Sequence, residues 1–315
     1  MGDQPVRSVI RRVAAPGAAV ILLALLGVGC GTSQPSGSSP ASSRAPTTSG
    51  GVAAVRSDPR IAAMVPASIR SKGALVVAAD ANYAPNEFVD KDGRTIIGMD
   101  ADLAAALAQV MGLRARLVNV PFDSIVPGLA AGKYHLGMSS LTDTKEREQT
   151  VDMVTYFRAG NSFITKQGSG ISVNGLADLC GHTVAIEKGS SYVAEVTAQD
   201  RTCKAAGKRG VTMRQYSGQP AANLALLSGR AELTIADSPV AAYQVKQSGG
   251  QLELVGKPYG EAPYGIAVPK RSGLAEPVLQ ALRALMTQGV YQQILNKWGL
   301  KDGAITTPVR NGAEG

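Results

Sequence analysis

The sequence predicts an α/β fold of two lobes joined by two crossing strands. From Ala74 onward, short apolar runs alternate with stretches of helical periodicity, which is typical of a parallel sheet covered by helices. No long linker divides residues 68–303, so strands have to connect the lobes. Two segments combine turn residues with a following strand: Arg158-Ala159-Gly160-Asn161 and Tyr259-Gly260-Glu261-Ala262-Pro263. We therefore expect one lobe of residues 68–158 plus 264–303, and a second lobe of residues 159–263.

The individual elements follow from apolar periodicity and helix-end signals. Strands are expected at Ala74–Asp80, Arg114–Val120, Leu136–Ser140, Asn161–Lys166, Thr183–Lys188, Thr212–Tyr216, Glu232–Asp237 and Tyr264–Pro269. Between the first two strands we expect a helix that Asp100 caps and Gly112 ends. Its apolar face is Leu103, Leu107, Val110 and Met111. Two final helices have the faces Val278, Leu282 and Leu285, then Tyr291, Ile294, Leu295 and Trp298, before Gly299.

The N-terminus has the organisation of an export signal, which we assign to residues 1–29. Arg7, Arg11 and Arg12 precede an apolar run, Val13 to Val28, that is short for a transmembrane helix. The sequence Leu26-Gly27-Val28-Gly29-Cys30 resembles the lipobox of bacterial lipoproteins, although the box prefers leucine where Gly27 stands. The resemblance implies acylation of Cys30. The alternative is a secretory signal cut nearby.

Both ends of the folded part are expected to be flexible. Residues 30–67 are assigned to a lipid-anchored tether, since Ser, Pro, Thr, Gly and Ala dominate up to about residue 57. Some 27 such residues give a mean reach of roughly 30 Å. Residues 304–315 are assigned to a flexible tail. Removing residues 1–29 leaves 29 basic and 23 acidic residues, a net charge of +6 without a basic block, so nucleic acid is not an expected partner.

Export also bears on the two remaining cysteines. Cys180 and Cys203 lie 23 positions apart, on either side of a predicted strand and helix. Thiols oxidise outside the cytoplasm, so a disulfide between them is expected. Two buried free thiols are the alternative.

A candidate anion site lies in the stretch from Ser139 to Arg147. There a strand runs into hydroxyl residues, then a helix start, and Arg147 follows one turn later. Backbone N–H groups at a helix start attract an anion, and a guanidinium can bind a carboxylate with two prongs. Asp143-x-x-Glu146 is a variant of the capping box and marks the helix start. Hydroxyl caps and surface arginines are common, so a purely structural role is the alternative.

A set of short motifs resembles the polar amino acid binding family, family 3 of the extracellular solute-binding proteins that serve bacterial ABC importers. The resemblance covers about residues 68–303. In chain order the motifs are Val76–Pro85, Asp92-Gly93, Gly98–Leu103, Phe122–Leu129, Gly132-Lys133-Tyr134, Thr142-x-x-x-x-Arg147, Gly189-Ser190-Ser191, Ala236–Pro239 and Lys297-Trp298-Gly299. The family implies a bilobal periplasmic-binding-protein-like fold with the ligand between the lobes.

The resemblance implies a role for each end of an amino acid ligand. Arg147 would hold the α-carboxylate, with donors around Ser139, Ser140 and Thr142. Asp237 would take the α-ammonium, and Ser191 would add a hydroxyl or N–H. Asp237 also precedes Ser238-Pro239 in the manner of a helix cap, and that role stays open.

The family holds the ligand side chain between two apolar plates, which correspond here to Tyr83 and Met99. Met99 stands where the family more often has Phe. Asp80 and Glu187 correspond to positions that can face the side chain, and two carboxylates would favour a cation. A surface Glu187 paired with Lys188 is the alternative. His135 replaces a more common Asp and is assigned to a turn.

The expected function is extracytoplasmic binding of a polar or basic L-amino acid and its delivery to the membrane subunits of an ABC importer by lobe closure. The protein is expected to be a monomer on the outer face of the cell membrane, held there by its lipid anchor, without cofactor or metal. A sensor that feeds no transporter is one alternative. A dehydratase-type enzyme on the same fold is another, with Asp80 and Glu187 as an acid–base pair. The sequence has only two histidines and no Gly-x-Ser-x-Gly motif, which disfavours catalysis.

Overall fold

A mixed sheet of eight strands runs through both lobes of the protein. The computed structural model describes residues 55–314, so the predicted signal segment, Cys30 and most of the tether lie outside the described residues. The strands are β1 (Ala74–Ala79), β2 (Asn82–Tyr83), β3 (Glu87–Val89), β4 (Ile96–Ile97), β5 (Arg114–Asn119), β6 (Leu136–Gly137), β7 (Val151–Lys166), β8 (Thr183–Glu187), β9 (Thr212–Tyr216), β10 (Leu233–Asp237) and β11 (Leu252–Pro269).

Helices cover both faces of this sheet. They are α1 (Pro59–Met64), α2 (Ala67–Arg70), α3 (Met99–Val110), α4 (Phe122–Ala130), α5 (Lys145–Thr150), α6 (Tyr192–Ala205), α7 (Gln219–Leu227), α8 (Ser238–Gln247), α9 (Ala275–Thr287) and α10 (Val290–Trp298), with 3₁₀ turns at Leu176–Leu179 and Lys301–Gly303. Among residues 55–314, none of the helices is both long and apolar enough to cross a membrane.

The order of strands in the large sheet is β5-β1-β6-β11-β7-β10-β8-β9. The outer strands pair in parallel, as the alternation of elements predicts: β1 with β5 and β6, and β8 with β9 and β10. The centre is different, because β7 and β11 are long and antiparallel to each other. Only one end of each was predicted as strand. In β11 the missed part is largely exposed, so it lacks the apolar run that marks a buried strand.

The two predicted crossing segments lie in the middle of β7 and β11. Ala159 pairs with Ala262 and Asn161 pairs with Tyr259, and the register shifts between these two pairs. An irregularity in a ladder is a point where strands bend. That these segments act as the hinge stays a prediction.

Separate apolar cores hold the two halves of the molecule. Helices α3, α9 and α10 bury the faces predicted for them, and Gly112 and Gly299 follow them with φ of 69° and 72°. The first core includes Leu103, Leu107, Val278, Leu282 and Tyr291. The second includes Phe163, Val184, Ile186, Val196 and Ile235.

Two helix starts differ from prediction. Gly98, with φ of 127°, precedes α3, and Asp100 lies fully buried in the first turn instead of capping it. A Cβ at Gly98 would lie 2.2 Å from the carbonyl oxygen of Asn86, so only glycine fits this close approach. At α5 the cap is Thr144, whose hydroxyl accepts from the N–H of Arg147, and the carboxylate of Asp143 accepts from the N–H of Gly312.

The tether and the tail were both predicted too long. Residues 59–67 belong to the folded body, since Ile61 and Val65 are buried in the first core. The chain after residue 303 is also bound to the body. The N–H of Thr155 donates to the carbonyl of Val309, and the N–H of Asn311 donates to that of Met153. This segment therefore covers a free edge of β7. Because the segment itself has few apolar residues, its sequence does not indicate that it packs against the body.

A disulfide joins Cys180 and Cys203, as the sequence predicts. It connects the segment before β8 to helix α6, and the Cα atoms are 5.6 Å apart.

Candidate functional site

A small cavity lies where strand ends and helix starts of the two lobes meet. In an α/β sheet, ligands bind beyond the carboxyl ends of the strands. The residues that line the cavity are Tyr83, Phe122, Ser139, Ser140, Thr142, Arg147, Glu187, Ser190, Ser191, Tyr192 and Asp237. Eight of the ten predicted site residues are among them. The two others are Asp80 and Met99.

Arg147 projects from α5 into the cavity and is held on both sides. Its Nη1 donates to the carbonyl of Thr142 at 2.8 Å, and its Nη2 donates to the carbonyl of Gly189 at 3.1 Å. The guanidinium carbon lies 5.4 Å from the ring centre of Phe122, a cation–π distance. Burial lowers the pKa of Arg147, and the negative charge of Asp237 opposes that effect.

Asp237 ends β10 and faces the same cavity with a carboxylate surrounded by tyrosines. Its oxygens accept hydrogen bonds from the hydroxyls of Tyr192 and of Tyr264, the latter at 2.6 Å. The side chain makes no capping bond to α8, which weakens the capping alternative. Burial raises the pKa of Asp237, and the tyrosine hydroxyls oppose the rise.

Tyr83 connects the two lobes at this site. Its hydroxyl accepts from the backbone N–H of Asp237 at 2.9 Å and lies 3.5 Å from the hydroxyl of Tyr192. The ring is buried. The Tyr83 hydroxyl therefore forms a hydrogen bond across the cleft.

The predicted hydroxyl donors Ser139 and Ser140 line the cavity, but both hydroxyls are bonded to Glu87. Ser139 Oγ lies 3.0 Å from Glu87 Oε1, and Ser140 Oγ lies 3.1 Å from Glu87 Oε2. A hydroxyl has a single proton to donate. The donors that the prediction assigned to the ligand are thus engaged behind the cavity. Sequence reasoning did not include Glu87.

Asp80 and Glu187 form a buried acid pair between the lobes. The charge of Asp80 raises the pKa of Glu187, and the Asp80 carboxylate accepts from the N–H of Phe122 at 3.0 Å and from the Asn82 side chain. Glu187 is 5% exposed, and among the described residues its Oε1 has no hydrogen-bond partner. Burial raises the pKa of Asp80 to about 6 and that of Glu187 well above its usual range. The surface alternative for Glu187 is therefore wrong.

Met99 does not reach the cavity. It begins α3, is fully buried and belongs to the first core, because the apolar side of this helix packs onto the sheet. Phe122 provides an aromatic face at the cavity instead. Phe122 begins α4 two residues after β5. It lies within a motif that carries the family resemblance, and this position could have indicated it.

Ser191 stands where predicted, immediately before α6, and its side chain makes no capping bond. The next residue, Tyr192, is a site residue that sequence reasoning missed. It is buried and bonded to Asp237. Lys188 and Asp123 form an ion pair of 2.8 Å between the lobes near this point.

Neither histidine lines the cavity. His135 Nδ1 accepts from the N–H of Val76, and His182 lies 3.3 Å from a Glu232 oxygen at the surface. Across residues 55–314, no group of three or more His, Cys, Asp or Glu side chains could hold a metal ion.

The fold and this site define a two-lobed binding protein with its ligand cleft between the lobes. Residues 75–301 match the sequence model of the bacterial extracellular solute-binding proteins, family 3, and the chain belongs to this family.

Relatives of known ligand are similar over most of the chain. The arginine-binding protein of Corynebacterium glutamicum is 35% identical over 256 residues, which cover 80% of this chain and 83% of that protein. The glutamine-binding protein of an ABC transporter in Bacillus subtilis is 30% identical, covering 66% of this chain and 75% of that protein. The solved structure of an ancestral arginine-binding protein bound to arginine has a TM-score of 0.66 and 34% identity, covering 72% of this chain and 98% of that one.

Proposed function

We propose that this protein binds an amino acid with a cationic side chain between its lobes and delivers it to an ABC importer. The observation that carries the proposal is the charge of the site. Arg147 is a single cation among three carboxylates, those of Asp237, Glu187 and Asp80. A basic amino acid carries one carboxylate and two cations, so its charges complement those of the site.

The α-carboxylate and the α-ammonium of the ligand each have a partner in the site. The ligand carboxylate pairs with Arg147, whose guanidinium can form two parallel hydrogen bonds to it. The ligand ammonium pairs with Asp237, which is buried and therefore gains from a cation. Because these two residues belong to different lobes, a bound amino acid connects them. Binding then favours the closed form.

The ligand side chain is assigned to the acid pair. A buried carboxylate without a hydrogen-bond partner is costly, and Glu187 Oε1 is such a group. A guanidinium or ammonium would satisfy it and offset the repulsion between Glu187 and Asp80. Relatives whose names specify arginine support this choice, and the glutamine-binding relative marks the neutral alternative.

The location and the mode of action are also part of the proposal. The basic and apolar N-terminus and the sequence before Cys30 support a lipoprotein on the outer face of the membrane. Relatives in Bacillus subtilis and Escherichia coli are named as binding proteins of ABC transporters, which supports transport over sensing and over catalysis. Loss of uptake after deletion of the gene would separate transport from sensing.

Calorimetry with matched ligands tests the proposal. Arginine and citrulline have nearly the same shape, but the side chain of citrulline is neutral. We expect arginine to bind at least about tenfold more tightly, since a charged hydrogen bond contributes about 1.5–3 kcal/mol. Glu187→Gln should reduce that preference. Equal binding of both ligands would contradict a cationic ligand, and no binding of any amino acid would contradict the function.

A further inference from the structure

Two buried carboxylates, Glu87 and Asp100, lie behind the ligand cavity and contact none of the charged groups assigned to the ligand. Glu87 is on β3 and is 1% exposed, and Asp100 is on α3 and is 0% exposed. The charge of Asp100 raises the pKa of Glu87, which places the two carboxyls close together. In residues 55–314 neither of them forms an ion pair, so their charge is not neutralised by a cation. Isolated buried charges cost free energy, so we expect this pair to have a role that outweighs the cost.

Glu87 determines where the hydroxyls of Ser139 and Ser140 point. Ser139 Oγ accepts from the backbone N–H of Asp80 at 2.9 Å, and Ser140 Oγ accepts from Asn86 Nδ2 at 2.8 Å. Each hydroxyl then has its proton free to donate to one oxygen of Glu87. The single carboxylate thus ties together the end of β1, the loop after β6 and the hairpin that contains Asn86.

Asp100 holds the backbone of the same loop. Its Oδ2 accepts from the N–H of Ser140 at 2.9 Å, and both of its oxygens accept from the hydroxyl of Tyr156, at 2.7 and 2.8 Å. Ser140 has φ of 50°, a left-handed conformation that non-glycine residues rarely adopt. The bond to Asp100 compensates for this conformation. The Ser139–Ser140 loop is therefore fixed by one carboxylate at its side chains and by another at its backbone.

We propose that Glu87 is a positioning residue of the ligand site: through the hydroxyls of Ser139 and Ser140 it holds the cavity wall beside Arg147 and the end of β1 beside Asp80. Glu87 itself touches no ligand group. The inference rests on the proposed function, because it concerns the geometry of the same cavity. It assigns to the hairpin of β2, β3 and β4 a role in binding.

Burial disfavours ionisation of both carboxyls of the pair. It raises the pKa of Glu87 well above its usual range and that of Asp100 to about 6, and the charge of Asp100 adds to the rise at Glu87. The facing titratable groups are Tyr156 on β7 and Asp237 on β10. Asp80, the residue after β1, contributes its backbone N–H to the hydroxyl of Ser139. When both carboxyls are ionised at alkaline pH, two adjacent negative charges repel. The loop is then released and the ligand carboxylate is disfavoured.

The test is Glu87→Gln, measured by calorimetry with arginine between pH 6 and pH 9. Glutamine keeps the shape and can donate to Asp100, but it leaves one serine hydroxyl without an acceptor. We expect about tenfold weaker binding at pH 7, the effect of losing roughly one hydrogen bond. We also expect the wild type to lose affinity at alkaline pH and Glu87→Gln to lose less. The ammonium of arginine titrates equally in both proteins, so the difference isolates the pair.

Two further variants complete the test. Asp100→Asn removes the second charge and should also reduce the alkaline loss of affinity. Glu253→Gln is the control, since that carboxylate accepts from the N–H of Gly168 in the other lobe and should leave binding unchanged. A lower melting temperature of Glu87→Gln with wild-type affinity and an unchanged pH profile would overturn the proposal. Wild-type protein that binds no amino acid would instead overturn the proposed function.

Discussion

The guanidinium of Arg147 in the first lobe donates a hydrogen bond to the carbonyl oxygen of Gly189 in the second lobe, at 3.1 Å. The arginine therefore both lines the cavity and spans the cleft. Gly189 has φ of 81°, and a Cβ there would lie 2.8 Å from the Cβ of Asp123. The two lobes thus approach each other closely beside the group that is assigned to the ligand carboxylate. Ligand affinity and lobe closure should therefore both depend on Arg147 and Gly189.

Replacement of Arg147 by alanine tests the carboxylate assignment. If the guanidinium pairs with a desolvated carboxylate, its loss should cost about 2–5 kcal/mol, which is roughly 30-fold to several-thousand-fold in affinity. Arg116→Ala, on an exposed part of β5, is the control and should bind like the wild type. Calorimetry with arginine provides the comparison. A change below threefold for Arg147→Ala would place the carboxylate elsewhere.

Gly189→Ala tests the close approach of the lobes. The added Cβ would collide with Asp123, so the variant should resist closure and bind ligand at least about tenfold more weakly, as expected for steric strain of 1–3 kcal/mol. Gly207→Ala is a matched control, because Gly207 has φ of 69° and open space around it. Small-angle scattering should show compaction with ligand in the control and less in Gly189→Ala. Equal compaction in both would refute the steric argument.

The stability of the ligand-free protein should rise as the pH falls from 7.5 to 5.5. Burial raises the pKa of Asp80, Asp100 and Asp143 to about 6 each. In the unfolded chain these groups have ordinary values near 4, so in this window the folded state binds more protons. The free energy of unfolding therefore increases through pH 6 as acid is added. Burial lowers the pKa of His135, which acts in the opposite direction.

Melting temperatures at the two pH values check this expectation. Asp143→Asn removes one of the three groups and lies outside the residues that line the cavity. It should reduce the difference between pH 5.5 and pH 7.5 without preventing ligand binding. A wild-type melting temperature that is lower at pH 5.5 would mean that the buried carboxylates do not dominate the titration.

Removal of residues 307–315 should destabilise the protein. The segment bonds to β7 at Met153 and Thr155, to Asp143 before α5, and through Arg310 to Asp152 at 2.7 Å. Several hydrogen bonds of about 0.5–1.5 kcal/mol each predict a loss of about 2–4 kcal/mol. Urea unfolding measures it. Glu314→Gln, which removes only an exposed ion pair with Arg158, should change stability by less than about 1 kcal/mol. A truncated protein of wild-type stability would show that the segment does not contribute to the free energy of unfolding.

Most of the fold was predictable because local signals and burial agree along the chain. The helices at Met99–Val110, Ala275–Thr287 and Val290–Trp298 carry clear apolar faces, and glycines follow the first and third. The outer strands are short apolar runs. The missed first part of β7 is buried, but two other missed segments lack such a pattern, namely the exposed part of β11 and the polar C-terminal segment. Their structure comes from hydrogen bonds to a distant strand.

The site residues also divide into those that the local sequence identifies and those that only distant contacts bring together. Sequence order and family resemblance selected Arg147, Asp237 and Glu187. Asp237 and Glu187 end strands and Arg147 lies in the first turn of a helix, and these elements can be recognised locally. Met99 was assigned wrongly, because the sequence does not show which side of the first turn of α3 faces the core.

Only the tertiary structure brings Glu87 against Ser139 and Ser140, at a separation of more than 50 residues. It likewise brings Tyr192 against Asp237, a hydrogen bond across 45 residues. A side chain's propensity, polarity and neighbours in sequence determine which element it joins. Whether a carboxylate is solvated, paired or buried beside another depends on chain segments that meet only after the sheet has formed. Burial and the resulting pKa shifts are therefore properties of the fold, while the residue types that respond to them are set by the sequence.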